Sequence, residues 1–221
     1  MGAGKTVTGK TVASPARDPD RKVKSDVTRQ KVLTAAARLF SERGFAGATM
    51  RDIAAAADMR AGSLYYHFPS KTDLIEVVLD HGVLHVSTAV EQAMAALPPS
   101  TSCRARIRVA IAAHLDSILQ NGAFASLSRH LQAQVPDEIR RRHVERRDAY
   151  SAFWLDLLQA AVDAGEIRAD LDIRLTRTFL LGALNAALDW YRPDGKPVET
   201  LAEEFTAILG EGMFVPVPPA R

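Results

Sequence analysis

Arg60, Ser63, Tyr65, Tyr66 and His67 crowd hydrogen-bond donors and flat rings into eight positions where a helix would otherwise carry packing groups. Such side chains suit oxygen-rich partners, namely phosphates, sugars and the edges of bases. They sit within TMRDIAAAADMRAGSLYYHFPSKTDL, Thr49 to Leu74, which reads as two short helices around a tight turn. The second helix is too small and too poor in aliphatic residues to be core. A short polar helix braced on an apolar one is how a helix-turn-helix enters a DNA major groove. Ala61 and Gly62 open the same helix and join the candidate contact set, whereas Leu64 and Phe68 are expected to lock it inward. Thr49 can cap the preceding helix and touch phosphate together. Arg51 stands in that helix's first turn, where free amides already favour an anion. His67 divides between a phosphate contact and a purely structural hydrogen bond.

The elements that must hold these groups are legible from periodicity and caps. Val32, Ala35, Ala36, Leu39 and Phe40 fall at helical spacing, and the helix they form should stop at Arg43-Gly44. Thr49 with Asp52 makes a capping box, and Ile53, Ala54 and Ala57 give the second helix its buried face. Asp58 occupies the turn, where a short polar side chain tolerates a left-handed backbone. Ser70 with Asp73 opens a long fourth helix that should run to about Leu97. Helices are then expected over 103–120, 136–164, 172–191 and 198–213, with a short helical turn near 124–131. The chain is therefore predicted to be all-α. Residues 1–25 should form a disordered arm, 26–70 a helix-turn-helix domain, 71–214 a helical domain, and 215–221 a tail.

Charge follows the same division. Residues 1–73 hold 13 Lys/Arg against 7 Asp/Glu, and the rest hold 15 against 19. A basic first third on a mildly acidic body places polyanion binding at the N-terminal end, although a basic solubility tail would look similar. Arg21, Lys22, Lys24 and Arg29 could follow DNA or simply solvate the arm. A single cysteine, Cys103, excludes an internal disulfide. With no secretory h-region and no apolar run long enough to span a bilayer, a cytoplasmic location is expected.

In order and spacing, Thr49, Ile53-Ala54, Ala57, Gly62-Ser63-Leu64-Tyr65, His67-Phe68, Ser70-Lys71 and Leu74 resemble the DNA-binding signature of the tetracycline-repressor (TetR) family. The likeness covers about residues 27–80; the remaining helices resemble the family in architecture. It implies a homodimeric transcriptional regulator, usually a repressor, that leaves a palindromic operator when a small molecule enters the C-terminal domain. By the same resemblance Tyr65 and Lys71 contact DNA backbone, and Tyr66 occupies a variable place facing the groove. Two positions depart from the pattern. Asp58 replaces the usual turn glycine, and Arg60 stands where Ser or Thr caps the third helix, a loss of about 1 kcal/mol. Trp190-Tyr191-Arg192-Pro193 is similar to a subgroup tied to lipid and acyl-thioester catabolism.

For the effector, His114, Ser117 and Ile118 share a helix face, with Leu131, Phe153 and Trp154 as further walls, unless these are ordinary core. Leu175, Phe179, Leu180, Ala183, Ala187 and Tyr191 form one apolar stripe, and Leu201, Phe205, Ile208 and Leu209 another, with part of the stripe facing the protomer's own core. The resemblance implies that two such helices per protomer build a four-helix dimer interface. The run Glu138 to Arg147 reads mainly as a solvated face with Glu138–Arg142 pairing, or else as an anionic-effector entrance or a dimer-rim contact. GKTVTGKT, residues 4–11, matches a phosphate-binding loop expression, but a polar arm supplies neither the strand nor the helix the loop needs. With no nucleophile–base pairing, an enzyme is not expected, nor is any metal or cofactor. The rival reading is an effector-independent, architectural DNA-binding protein, which would show a fully packed C-terminal core.

Overall fold

Helix starts in this chain are written by short polar side chains, and the computed structural model uses them. It describes residues 19–124, 127, 134–192 and 194–213, with side-chain surroundings from Asp26 onward except at 209 and 211–213. Among the described residues there are helices and no strand ladder: α1 (Pro19–Gly47), α2 (Met50–Ala56), α3 (Ala61–His67), α4 (Lys71–Ala95), α5 (Cys103–Gln120), α6 (Asp137–Asp163), α7 (Ile173–Trp190) and α8 (Val198–Met213). Thr49 accepts from Asp52 N to cap α2, Ser70 accepts from Asp73 N to cap α4, and Ser102 accepts from Ala105 N to cap α5. Asp172 accepts from Arg174 N and Leu175 N to open α7. Glu166, in the turn after α6, adds a long-range cap by accepting from Cys103 N at 3.0 Å and Arg104 N at 2.8 Å.

The first helix needs correction at its start. It begins at Pro19, inside the segment expected to lack structure. Asp18-Pro19-Asp20 explains the earlier start, since proline suits the first helical position and acid suits the first turn. The expected stop is present as a break: Gly44 has φ 71° and ψ 171°, and helical geometry resumes for one short turn. The phosphate-loop match at 4–11 and the 215–221 tail lie outside the described residues.

Two apolar clusters organise the molecule. One joins Val32, Phe40, Ile53, Leu64, Phe68, Leu74 and Leu79 and extends to Phe124, Val135 and Ile139. The other surrounds α5, which touches α4, α6, α7 and α8. Helix α4 enters both clusters, with Leu74–Leu79 in the first and Val86 and Val90 in the second. Ion pairs tie it to α6: Glu76 with Arg142 at 3.1 Å, and Asp80 with Arg146. The anticipated Glu138–Arg142 pair is also present, at 3.4 Å.

Candidate nucleic-acid interface and ligand cavity

Helix α3 turns Leu64 fully inward, and Phe68 just beyond it is 2% exposed. Arg60, Gly62, Ser63, Tyr65 and Tyr66 face outward, and Tyr66 is 85% exposed. An exposed aromatic of that size has no packing role, which leaves it available to a partner. Arg60 precedes α3 with no side-chain cap, so its guanidinium is not spent on the helix end. The turn that aims α3 depends on Asp58, whose φ of 54° fits the left-handed role expected of it. Thr49 donates to the Asp52 carboxylate at 2.7 Å, and Asp52 also meets Arg43 at 3.4 Å. Arg51 is exposed beside them. His67 is half-buried, its ring edge-on to Tyr66.

Two members of the expected contact set have other work. Ala61 packs against the apolar cluster of the head. Lys71 turns back: its Nζ donates to the carbonyls of Phe45 at 2.8 Å, Ala48 at 3.1 Å and Ala46 at 3.4 Å. An ammonium has three N–H bonds, and these three carbonyls engage them. It also lies 4.6 Å from the Phe45 ring centre. Lys71 is therefore the clasp that holds the chain after Gly44, and its ammonium is not free for phosphate as anticipated.

Beyond the head, α4, α5, α6 and α7 line a half-open cavity of about 430 Å³. Gly82, Val83 and Val86 form its α4 wall, and Phe124 belongs both to this lining and to the head's apolar cluster. His114 and Ile118 line it as expected. Ser117 is buried outside the lining. Phe153 and Trp154 form a second layer behind Tyr150, which Phe153 stacks on and Trp154 meets edge-on. Leu131 lies outside the described residues. Tyr150, Asn185, Arg147 and Arg177 are lining residues that the sequence reading missed. Their signals were present: Tyr150 is one helical turn before Trp154, and Asn185 interrupts an apolar run.

His114 is 2% exposed, and its Nδ1 lies 2.8 Å from the Tyr150 hydroxyl. Burial pushes the imidazole down to about 4, so it is neutral near pH 7. Burial likewise pushes the Tyr150 phenol up. His143, also buried, is lowered to about 4 by desolvation and then by the Arg147 charge. Among the described residues, no group of three or more His, Cys, Asp or Glu side chains could hold a metal ion. Nor is any described helix long and apolar enough to cross a membrane.

On α7 the exposed apolar stripe runs through Leu175 (66% exposed), Phe179 (65%) and Trp190 (49%), with exposed Gly182 between them. Ile208 gives α8 an outward apolar face, and Trp190 stacks on Phe205 at 6.3 Å. Ala187 is fully buried in its own protomer, and Tyr191 and Phe205 pack largely on that core. Residues four apart drift about 40° around a helix at each step, so the stripe that stands outward at Leu175 and Phe179 has turned into the core by Ala187, and Tyr191 lies just past the helix end. Ala183 is half-buried, and the Leu209 side chain lies outside the described residues.

The family described as "Tetracyclin repressor-like, C-terminal domain" matches residues 100–213, and "Bacterial regulatory proteins, tetR family" matches residues 32–78. This chain belongs to the TetR family. It is a DNA-binding transcriptional regulator of that family, with its helix-turn-helix in the matched N-terminal part. Among its TetR-family relatives is the HTH-type transcriptional repressor KstR2 of Rhodococcus jostii (strain RHA1), 30% identical over 85% of this chain and 92% of the relative. The repressor of the same name from Mycolicibacterium smegmatis is 29% identical over 88% of this chain and 95% of its own. The solved ketosteroid transcriptional regulator KstR2 of Mycobacterium tuberculosis superposes with a TM-score of 0.74 at 24% identity, covering 85% of this chain and 95% of that one. AibR, solved in complex with isovaleryl coenzyme A and operator DNA, gives 0.69 at 24% identity, covering 82% and 97%.

Proposed function

We propose that this regulator is a homodimeric repressor that leaves a palindromic operator when a small, largely apolar molecule or acyl thioester fills the cavity. The observation that carries this reading is the shared wall. Phe124 and α4 belong to the head's apolar cluster and also line the cavity, so a ligand pressing there acts on the element that holds α3. Paired recognition helices must meet grooves about 34 Å apart, so a displacement of a few ångströms spoils simultaneous docking. Operator and effector then weaken each other by the same factor.

Three further features support the reading. Arg60, Gly62, Ser63, Tyr65 and Tyr66, with Thr49 and Arg51, supply the DNA-facing set. Leu175, Phe179 and Ile208 are apolar groups that a second protomer would cover. Arg147 and Arg177, with Asp148, line the cavity and suit an effector with an anionic end. The relatives' names, repressors and in one case a protein solved with an acyl-coenzyme A, fit the same scheme. A cavity of this size weighs against the architectural alternative, whose C-terminal core would be filled.

The test is selection of bound genomic fragments, followed by mobility shift at several salt concentrations with random competitor DNA. The expected result is a discrete complex of two protomers that resists competitor and is lost in Tyr65→Ala. Diffuse binding to all fragments, falling steeply with salt, would reject an operator-specific repressor.

A further inference from the structure

Two helices leave the head side by side. Helix α4 starts among the head's apolar groups at Leu74–Leu79 and reaches the cavity at Gly82, Val83 and Val86. Helix α6 follows the same course. Ile139, with Val135 just ahead of the helix, is buried in the head's cluster, and Arg147, Asp148, Tyr150 and Ser151 line the cavity. One residue further back, the Gln134 side chain reaches the corner between α1 and α2, where its Oε1 accepts from Phe45 N at 3.2 Å. The approach is close, since a Cβ on Gly44 would stand 2.5 Å from that oxygen. Lys71 of α4 gathers the carbonyls of the same corner. That corner leads straight to Thr49 and the cap of α2. Both helices therefore grip the segment that launches the reading elements.

Between head and cavity the two helices are tied together by Glu76 with Arg142 and Asp80 with Arg146. The pairs climb both helices in the same order, so α4 and α6 run in the same direction. Four residues separate the rungs on each helix, a rise of about 6 Å. The carboxylate side chains are only 21% and 15% exposed, so salt screens these pairs less than open surface pairs. Two rungs also define a register. A slip of one turn keeps one pair and sets the other arginine against Thr72 or Leu84. It strands a largely buried carboxylate, which is costly.

We propose that Arg142 and Arg146 are positioning residues for operator recognition. By locking α6 to α4 in one register they fix the angle of the head on the body, and so the half-site spacing that paired heads accept. One added base pair moves half-sites apart by about 3.4 Å and turns one against the other by about 35°. A stiffly held head rejects that change, and a loosened head tolerates it. This inference rests on the homodimer reading and adds the residues that set its geometry.

The test uses the full-length protein, the operator recovered by genomic selection, and two operators with one base pair added or removed between half-sites. Wild type should bind the natural spacing at least about tenfold tighter than either altered one. Arg142→Gln with Arg146→Gln should compress that preference to about threefold or less, chiefly by losing affinity for the natural spacing. Reversing a rung, Asp80→Arg with Arg146→Asp, should restore the preference that Arg146→Asp alone loses, a rescue that a role in bulk stability would not show. Amide exchange at Phe45 gives a second reading without DNA. It should quicken about tenfold in the double glutamine variant and return to the wild-type rate in the reversed pair. Should the double variant fail to fold, Arg146→Gln alone carries the same comparison. An unchanged spacing preference in the glutamine variant, or no rescue by the reversed pair, would overturn the proposal. A wild-type protein that treats all three spacings alike would instead reject the palindromic dimer. Phe45 exchange then decides: quickening in the glutamine variant upholds the locked register, and an unchanged rate overturns it.

Discussion

The head and the sensing half of this molecule bury their side chains by opposite rules. Every buried residue in the head's cluster is apolar, and the head's hydrogen-bonding groups stand outside on α2, α3 and their loops. The sensing half buries His114, Ser117, His143 and Thr206. Buried polar groups cost stability unless well partnered, so their confinement to the half with the cavity separates a part built to keep its shape from a part built to discriminate. Phe124 belongs to both regions, which makes the boundary between them a mechanical joint and not a linker.

The largest effect of any single substitution should come from damage to the head's apolar packing. Phe40 is fully buried, and Phe40→Ala should lower unfolding free energy by about 3–5 kcal/mol in urea melts, with an unchanged dependence on denaturant. Acidification should find the other half. His114 and His143 bind protons near pH 4 in the folded protein but at about 6.5 when unfolded, so the unfolded chain takes up protons first. Stability is therefore kept above pH 6.5 and lost as pH falls from 6.5 toward 4, by about 3 kcal/mol for His114 alone. Denaturant melts across that range would show it, and an equal loss in a His114→Phe, His143→Phe double variant would remove the histidines as its cause.

Third in size is Tyr66→Ala, expected to weaken operator binding about tenfold while shifting stability by less than about 0.5 kcal/mol. A comparable loss in the melt would show that this tyrosine supports the head and does not read DNA. The smallest effect expected is that of His114→Phe with Tyr150→Phe, which replaces both partners of a buried hydrogen bond by rings of similar size. Stability should change by less than about 1 kcal/mol, in either direction. A loss approaching that of Phe40→Ala would make the buried polarity structural and end the contrast between the halves.

Most helices were legible because their starts are chemical. The expected 103–120 and 198–213 segments coincide with α5 and α8, and Thr49 and Ser70 cap their helices as the spacing predicts, with Asp52 and Asp73 accepting from the cap hydroxyls. The outward face of α3 was legible for the same local reason. What escaped depends on partners far away in sequence. Lys71 resembles a surface cation until the fold brings the Phe45–Ala48 carbonyls beneath it. Tyr150 and Asn185 face the cavity only because of how α6 and α7 rotate, a choice that neighbouring apolar residues leave open. Which part of the α7 stripe faces the protomer's own core was equally illegible: Ala187 and Phe179 are two turns apart, yet one is buried and the other 65% exposed.

The chain's two tryptophans sit at the two places where its behaviour would be decided. Trp154 is sealed behind the cavity wall, whereas Trp190 stands half open beside the exposed face of α7. Their emission should therefore differ in colour and in access to dissolved quenchers. Iodide would dim Trp190 in a lone protomer and spare it in an assembled pair, while Trp154 ignores iodide and responds to whatever occupies the chamber. A Trp190→Phe variant would isolate the second signal. Under the proposed assembly and ligand control, the two tryptophans would act as separate optical gauges, one for assembly and one for occupancy, with no label attached.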